Sequence, residues 1–328
     1  MRTEPAIRHI PAEFEQLASK ITGKPAKAYK VVSLFSGCGG MDLGFLGGFE
    51  FGGRYYDRLP FEISWANDIS AAACETYRHN LRHEIHAGDI QEVLETMPKS
   101  ADVLLGGFPC QDVSVNGKGQ AGEGQRTILY KSMIKAIECA KPKVFVAENV
   151  KGLLSHETFF ERMMGEFDAL KGYDVSHRLY LAADYGVPQM RERVFIIGVR
   201  GRRSFQHPAP CLGRMTAGEA LADLESEPEN PAIKHIWSKA AASPDQGIRK
   251  LRGDAPATTI RAEHHGNIQW HYSLPRRISL REAARLQSFP DGFHFPNGMR
   301  ATEREIGNAV PPVLAWHIAK AVRECLAA

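Results

Sequence analysis

The sequence has few cysteines and no long apolar run. Only six of its 328 residues are cysteine, and no two of them form a Cys-x-x-Cys pair. This usage excludes a disulfide-rich scaffold and argues against a zinc site, so we expect no metal. No apolar stretch reaches the ~18 residues that span a bilayer, and the polar N-terminus lacks a signal-peptide core. We therefore expect a cytoplasmic protein that does not contact a membrane.

The charge of the chain is small in total but uneven along its length. The whole chain has 41 Lys and Arg against 38 Asp and Glu. Residues 189–281 contain 15 of these basic residues against 9 acidic ones, so the remainder is net acidic. Such a segment is about as typical of a solvated surface as of one that binds a polyanion such as DNA. Charge alone leaves both interpretations open.

Strand-like and helical patterns alternate through the first 200 residues. Short apolar runs predict strands at residues 30–35, 63–68, 103–108, 143–147, 175–181 and 194–199. Helical patterns lie between some of them, at residues 71–81, 127–140 and 159–170. This alternation predicts an α/β fold with a Rossmann-like, mostly parallel sheet. Ligands of such sheets bind at the carboxyl ends of the strands.

The alternation stops near Gly201, and this divides the chain. We expect an N-terminal extension at residues 1–28 and the α/β domain at residues 29–200. Residues 201–275 are rich in Pro, Gly, His and charge, which predicts a second, smaller irregular domain. Helical patterning returns at residues 279–287 and 311–326. We assign residues 276–306 to a hinge region and residues 307–328 to a C-terminal helix that completes the first domain.

A glycine-rich turn follows the first predicted strand, in the segment VVSLFSGCGGMDLGF at residues 31–45. Gly37, Gly39 and Gly40 would allow the backbone to pass close to a ligand. Free N–H groups at the start of the next helix suit an anionic group such as a carboxylate. The spacing is not that of a P-loop, which disfavours a nucleoside triphosphate. Taken alone, the segment is equally typical of a tight structural turn.

Acidic residues follow the next two strand-like runs. Asp68 ends one of them, where nucleotide-binding α/β folds have an acid that accepts hydrogen bonds from ribose. Asp89 follows the other, where it could accept from an exocyclic amine while Ile90 packs on a ring. Either acid alone is more typical of a cap or a turn. The three strand ends together favour an adenosine ligand.

Cys110 follows the apolar strand ADVLL, in the loop GGFPCQDVSVNGKG at residues 106–119. Most cysteines are small buried hydrophobic residues. A Gly- and Pro-rich loop at the functional edge of a sheet instead favours a nucleophile, because nearby positive charge turns a thiol into a reactive thiolate.

Charged residues lie at the end of one later strand and just before another. Glu148 and Asn149 end KVFVAENV, so Glu148 is a candidate proton donor or hydrogen-bonding group, or simply the start of a helix. Arg191 and Arg193 alternate with Glu192 before a strand, so both guanidiniums are expected on one face. There they could hold a phosphate or steer a carboxylate.

These motifs resemble those of the cytosine-5 DNA methyltransferase family. LFSGCGG resembles its first motif, GFPCQDVS its nucleophile motif, ENV its acid motif and QMRER its paired-arginine motif. LREAARLQSFPD resembles the motif after the recognition domain, and GNAVPP the last one. The family's order is kept from about residue 30 to residue 321. The resemblance implies a DNA (cytosine-5-)-methyltransferase of the bacterial restriction–modification type, with residues 201–275 as its target-recognition domain.

The resemblance also implies the cofactor, S-adenosyl-L-methionine, and its site. The implied residues are Phe35, Ser36, Gly37, Cys38, Gly39, Gly40, Asp68, Ile69, Asp89, Ile90, Pro109, Leu129, Asn308 and Ala309. Phe35 would face the adenine, and Asn308 and Ala309 would close the methionine end. Ser33 stands where the family often has Asp, a departure that we expect cofactor binding to tolerate.

The implied chemistry acts on a cytosine flipped out of the duplex. Cys110 would attack carbon 6 while Glu148 contacts ring N3 and the amino group. Carbon 5 would then take the methyl group, and loss of its proton would release Cys110. Arg193 would position the base, Arg191 would support that site, and Asn149 would orient the neighbouring loop backbone.

The implied partner is double-stranded DNA, bound by a monomer. The expected contacts are Ser114, Asn116, Arg202, Arg203, Arg249, Lys250, Arg252, Arg261, His264, His265 and Asn267. The loop SVNG departs from the small residue that many family members have before its glycine. A cognate restriction endonuclease could act on the same DNA site without forming a stable complex, or the enzyme could be solitary.

Two alternatives differ in substrate or in activity. A tRNA cytosine-5 methyltransferase would share these motifs, but that branch carries a Cys-Phe-Thr signature that this sequence lacks. A catalytically idle DNA-binding relative would usually have lost the nucleophile or the acid, whereas Cys110 and Glu148 are both present. The DNA sequence that is methylated does not follow from these motifs.

Overall fold

The structure is a computed structural model that describes most of the chain. The described residues are 28–109, 123–201, 203–211, 213–239, 249–262 and 269–328, without the side chains of residues 123–128. Seven of the predicted site residues lie outside these ranges: Cys110, Ser114, Asn116, Arg202, His264, His265 and Asn267.

The elements of the described chain alternate as predicted over the first 200 residues. The strands are β1 Tyr29–Leu34, β2 Phe49–Phe51, β3 Arg54–Tyr56, β4 Phe61–Asp68, β5 His86–Ala87, β6 Val103–Gly106, β7 Val144–Val150, β8 Tyr173–Leu181, β9 Gln189–Met190, β10 Glu192–Arg200 and β11 Ala257–Thr258. The α-helices are α1 Gly40–Leu46, α2 Ala71–Leu81, α3 Ile90–Val93, α4 Glu123–Ala140, α5 Glu157–Asp168, α6 Ala217–Leu221, α7 Leu280–Leu286, α8 Met299–Asn308 and α9 Pro312–Ala327. Single 3₁₀ turns occupy Leu94–Thr96, Lys151–Ser155, Ala182–Tyr185, Ala222–Leu224 and Pro231–Ile233.

Seven strands form the central sheet, in the order β5-β4-β1-β6-β7-β10-β8. The five from β5 to β7 are parallel, and β10 runs antiparallel to both of its neighbours. This confirms the predicted α/β class and the mostly parallel sheet. The carboxyl ends of β1, β4, β6 and β7 therefore meet at one edge, which we call the functional edge.

Hydrophobic layers cover both faces of this sheet. Along β1, Val31 belongs to one core cluster and Val32 to the other, because successive side chains of a strand point to opposite faces. Helix α9 packs on α1 on the first of these faces. The C-terminal helix thus packs against the helix that follows the first strand of the sheet.

The described residues between 203 and 275 contribute to the core that contains α1 and α9. Their buried side chains in that core include Phe205, Leu221, Leu251, Ala257 and Ile260. Strand β11 pairs in parallel with β9, which ties the end of this segment to the residues just before β10. In the described part of the chain, no helix is both long and apolar enough to cross a membrane.

Candidate active site

The turn after β1 is the first part of the site, and two of its glycines are required by close packing. A Cβ on Gly39 would lie 2.7 Å from Leu81 Cδ1, and one on Gly40 would lie 2.5 Å from the Val310 carbonyl oxygen. Gly39 also has a φ of 94°, which disfavours other residues. The turn is therefore held between helix α2 and the segment that leads into α9.

Asp68, at the end of β4, hydrogen-bonds to this turn. Its carboxylate accepts from the Gly37 N–H at 2.8 Å and from the Ser70 N–H at 2.8 Å. Burial raises the pKa of Asp68, although both hydrogen bonds oppose the rise. The next side chain, Ile69, is 74% exposed, and it presents an apolar surface at the functional edge where a planar ring could pack.

Other predicted cofactor residues differ in how far their side chains can reach a ligand. Asp89 caps α3 by accepting from the Gln91 N–H at 2.9 Å, and Ile90 is buried in the core. Cys38 is also buried, with its Sγ 3.7 Å from the Glu305 carbonyl oxygen, and burial raises its pKa well above the usual range. Because the thiol is buried, a ligand at this turn could contact the backbone of Cys38 but not its side chain.

The remaining predicted cofactor residues lie around the same region. Phe35, with a φ of 54°, and Leu129 are partly buried and pack on the second core cluster. Pro109 is half-buried, and Ser36 is buried with its hydroxyl turned toward Ser33. Asn308 is exposed at the end of α8. Ala309 approaches the glycine turn, since a Cβ on Gly40 would lie 3.2 Å from its own Cβ.

Glu148, near the end of β7, forms a buried ion pair with Arg193 at the start of β10. Arg193 Nε lies 2.9 Å from Glu148 Oε1, and the two side chains are 11% and 10% exposed. Burial raises the pKa of Glu148, while the charges of Arg193 and Arg191 oppose the rise. Arg193 thus contacts a carboxylate of the protein itself.

The approach to Cys110 passes directly beside this carboxylate. A Cβ on Gly107 would lie 3.2 Å from Glu148 Oε2, so the backbone after β6 comes close to the acid because the residue is glycine. The Asn149 side-chain amide donates to the Phe108 carbonyl at 2.9 Å. Two consecutive residues of β7 therefore contact or border the segment that leads to the predicted nucleophile.

Arg191 is fully buried and has different partners from Arg193. Its guanidinium donates to the carbonyl oxygens of Ile260 at 2.8 Å, Gly307 at 2.8 Å and Ala309 at 3.0 Å. Arg191 lies between β9 and β10, and its guanidinium contacts backbone carbonyl oxygens, whereas that of Arg193 contacts the Glu148 carboxylate. The charge of Arg191 still opposes the rise in the pKa of Glu148.

Sequence reasoning missed two buried glutamines beside Arg191. Gln189 Nε2 donates to the Leu286 carbonyl at 2.9 Å and to Gln287 Oε1 at 2.6 Å, and its Oε1 accepts from the Ile260 N–H at 2.9 Å. Gln287 in turn donates to the Ala309 carbonyl. Both glutamines stand inside recognised motifs, QMRER and RLQSFP, but only their burial reveals a role.

The predicted DNA contacts that are described are all exposed. Arg249 and Lys250 are exposed, and Arg252 is exposed but ion-paired with Asp254 at 2.8 Å. Arg261 is exposed beside the buried Arg191 network, because it directly precedes the backbone that abuts Gly307. Arg203 is exposed, and its positive charge opposes the rise in pKa that burial causes for the Cys325 thiol near the end of α9. Among the described residues, no group of three or more His, Cys, Asp or Glu side chains could hold a metal ion.

Comparison with known proteins adds independent information. The model of the C-5 cytosine-specific DNA methylase family matches residues 29–241 and 235–324. The type II methyltransferase M.NgoFVII of Neisseria gonorrhoeae is 37% identical over 333 residues, which cover 89% of this chain and 86% of the relative. The type II methyltransferase M.BspRI of Lysinibacillus sphaericus is 33% identical, over 90% of this chain and 82% of the relative.

Solved structures agree at the level of the fold. The S. pombe Dnmt2 methyltransferase superposes with a TM-score of 0.67 at 16% identity, over 91% of this chain and 99% of that one. The Entamoeba histolytica methyltransferase EhMeth gives a TM-score of 0.65 at 14% identity, over 92% of this chain and 99% of that one.

Proposed function

The chain belongs to the C-5 cytosine-specific DNA methylase family and is a DNA methyltransferase of the type II restriction–modification kind, and from this premise we propose its reaction. The methyl group of S-adenosylmethionine is transferred to carbon 5 of a cytosine that is flipped out of duplex DNA. Cys110 acts as the covalent nucleophile, and Glu148 contacts ring N3 and the amino group of the cytosine.

The residues at the functional edge fit this cofactor. A Cβ on Gly37 would have nothing within 4 Å, so this part of the turn leaves room for a ligand, and Asp68 places a carboxylate at the end of β4. The exposed Ile69 offers an apolar face for adenine. When bound, the cofactor supplies an electrophilic methyl group.

The observation that carries the proposal is the buried Glu148–Arg193 pair beside Gly107. Arg193 fixes the orientation of the carboxylate, and burial shifts its pKa upward, toward the range in which it can share a proton with ring N3. Such an acid favours positive charge on the ring edge while carbon 6 is attacked. The contact of Asn149 with Phe108 supports the backbone that carries Cys110.

The bond changes balance without a further reactant. The Cys110 sulfur bonds to carbon 6, and the electrons of the ring double bond make carbon 5 nucleophilic. Carbon 5 takes the methyl group and then loses its proton to a base. Elimination restores the double bond and frees Cys110.

Recognition is assigned to residues 201–275, with DNA held between that segment and the functional edge. Arg202, Arg203, Arg249, Lys250 and Arg252 would hold phosphates, whereas residues 261–270 would read bases. In this proposal the enzyme acts as a monomer. A cognate endonuclease would recognise the same DNA sequence without a stable complex.

Transfer of tritiated methyl groups tests this function. Wild-type protein should label plasmid DNA and leave tRNA unlabelled, and Cys110→Ala should label neither while keeping its cofactor affinity. Bisulfite sequencing of the plasmid should then find methylation at one short sequence. Labelling of tRNA alone would favour the RNA-directed alternative, and labelling of neither by wild type would favour an idle DNA-binding protein.

A further inference from the structure

Arg191 joins two chain segments that are far apart in the sequence. Its guanidinium donates to the carbonyl of Ile260, in the proposed recognition region, at 2.8 Å. The same group donates to the Gly307 carbonyl at 2.8 Å and to the Ala309 carbonyl at 3.0 Å, at the end of α8 and just after it. Arg191 is fully buried, and a buried cation is stable only while such polar partners are in place. Movement of one segment away from Arg191 and the other segment would therefore be costly.

Both backbone groups of Ile260 are bound by residues of one short motif. The Ile260 N–H donates to Gln189 Oε1 at 2.9 Å, and the Ile260 carbonyl accepts from Arg191, two residues further on in that motif. The same stretch of chain also packs closely on α8, because a Cβ on Gly307 would lie 2.3 Å from the Ala262 nitrogen. The residues that follow β11 are therefore packed directly against the end of α8.

The end of α8 and the residues after it pack in turn on the glycine turn. A Cβ on Gly40 would lie 2.5 Å from the Val310 carbonyl oxygen and 3.2 Å from Ala309 Cβ. The Cys38 Sγ lies 3.7 Å from the Glu305 carbonyl oxygen, in the last turns of α8. A ligand that restrains the glycine turn would therefore also restrain this end of α8 and the residues that follow it.

A second buried arginine, Arg281, provides a comparison within the same chain. It also donates to three backbone carbonyl oxygens, those of Ile233, Pro290 and Phe293, and it is 1% exposed. None of these carbonyls lies in the glycine turn or in the residues that pack on it. The two arginines therefore share their burial and their kind of partner, but only Arg191 connects the recognition region to the residues beside the glycine turn.

We propose that Arg191 is a positioning residue that couples cofactor binding to DNA binding, because it makes the placement of residues 257–262 depend on that of residues 307–310. The inference rests on the proposed function, in which the glycine turn binds S-adenosylmethionine and residues 201–275 bind DNA. A cofactor that restrains residues 307–310 also restrains residues 257–262. DNA then has less of the recognition region to order when it binds, and its affinity rises. Such coupling is reciprocal, so bound DNA raises the affinity for the cofactor by the same factor.

Hydrogen exchange of the wild-type protein tests the connection without any substitution. The probe is S-adenosylhomocysteine, which has the adenosine and amino-acid parts of the cofactor but no methyl group to transfer. It should slow amide exchange in residues 36–40, where it binds, and also in residues 257–262, which are not part of the proposed cofactor site. Slowing in residues 36–40 alone would overturn the inference. No slowing in either segment would instead show that the turn does not bind the cofactor and would refute the proposed function itself.

Fluorescence anisotropy with duplex DNA that carries the methylated sequence, with and without S-adenosylhomocysteine, measures the coupling. In wild type, the ligand should strengthen DNA binding by roughly fivefold or more. Arg191→Lys keeps the charge but lacks the planar guanidinium that spans both segments, so it should bring this ratio close to one. Arg281→Lys is the matched control, because it makes the same change at an equally buried arginine, and it should keep the wild-type ratio.

A ratio near one in wild type, or a wild-type ratio in Arg191→Lys, would contradict the proposal. An equal loss of the ratio in Arg281→Lys would also overturn it, since any damage to packing would then have the same effect. If Arg191→Lys does not fold or does not bind S-adenosylhomocysteine, the exchange measurement on wild type decides between the two outcomes stated for it.

Discussion

Glu148 and Asp42 are both buried carboxylates, but their partners differ. Glu148 contacts the guanidinium of Arg193, whereas Asp42 contacts two hydroxyls. The first arrangement fixes the orientation of the carboxylate, as the proposed role of Glu148 requires. The second places a buried carboxylate against two neutral side-chain hydroxyls, those of Ser33 and Tyr77. The two residues therefore call for different tests, one of the rate of chemistry and one of stability.

Glu148→Gln should slow methyl transfer on the order of 10²–10⁴-fold, the usual range for a general acid–base group. The amide keeps the shape of the carboxylate, but it cannot share a proton with ring N3 in the same way. Single-turnover methylation at saturating DNA and cofactor measures this step. An effect confined to DNA affinity, with the single-turnover rate unchanged, would mean that Glu148 contributes to DNA binding and not to the chemical step.

Asp42→Asn should change how stability depends on pH. The pKa of Asp42 is raised from 3.8 to about 6 in the folded protein, so the folded state binds its proton more tightly than the unfolded state does. The stability that this proton provides is present at acid pH and is lost as pH rises through 6. The whole titration corresponds to about 3 kcal/mol, of which on the order of 1 kcal/mol falls between pH 5 and pH 8.

Urea denaturation of both proteins at pH 5 and pH 8 measures this difference. The variant should gain stability relative to wild type as pH rises, because Asn does not titrate. A difference between the two proteins that stays constant with pH would show that Asp42 is not a buried titrating group.

At the scale of elements, the predicted strands agree with β1, β4, β6, β7, β8 and β10 to within three residues at either end. Buried parallel strands are continuous apolar runs, which makes them visible in a sequence. Helix α8 was missed inside the expected hinge region, because its segment MRATEREIGN is mostly polar and buries mainly Thr302, Glu305 and Ile306. The hairpin β2–β3 was missed because each strand has only three residues.

The candidate site was predictable only in part. The strand-end positions of Asp68 and Glu148 follow from the pattern of apolar runs. The partners of Arg191 do not, because Ile260, Gly307 and Ala309 come from segments that only tertiary packing brings together. The same limit applies to Asp42, whose neutral partners cannot be recognised before the packing is known.

Gln189 ties β9 to α7 and to the segment that ends the proposed recognition region, and its loss should destabilise this junction. Gln189→Leu would leave the Ile260 N–H and the Leu286 carbonyl buried without their present partner. We expect a loss of about 2–4 kcal/mol in the free energy of unfolding. Gln206→Leu, the same change at an exposed position, should alter it by less than about 0.5 kcal/mol. Equal effects of the two changes in urea denaturation would contradict this account of the junction.

At the scale of the whole molecule, basic residues are concentrated in residues 189–281, whereas the rest of the chain is net acidic. Exposed cations within that segment are not equally available to a phosphate. Arg252 would have to leave Asp254, to which it donates two hydrogen bonds. Lys250 is exposed and pairs with Trp270 in an isolated β-bridge, so it is the better residue for a test.

Lys250→Ala should weaken binding to all DNA sequences and reduce the slope of log affinity against log salt by about one. Lys171→Ala is the matched control, because Lys171 is exposed just before β8, at the edge of the sheet opposite the functional edge. It should leave the slope unchanged. Fluorescence anisotropy over a range of salt concentrations measures both. A slope that is unaffected by Lys250→Ala would show that the surface around Lys250 is not part of the DNA interface.

In the proposed reaction, cytosine carbon 5 is methylated through a covalent bond to Cys110. Duplex DNA of several kilobases in which 5-fluorocytosine replaces cytosine tests it without knowledge of the target sequence. Fluorine cannot leave carbon 5 as a proton does, so the elimination that frees the enzyme is blocked. With S-adenosylmethionine present, wild-type protein should form a DNA adduct that survives denaturation and nuclease digestion, and mass spectrometry should find a methylated fluorinated base on Cys110. No adduct with wild-type protein, or an equal adduct with Cys110→Ala, would contradict the account.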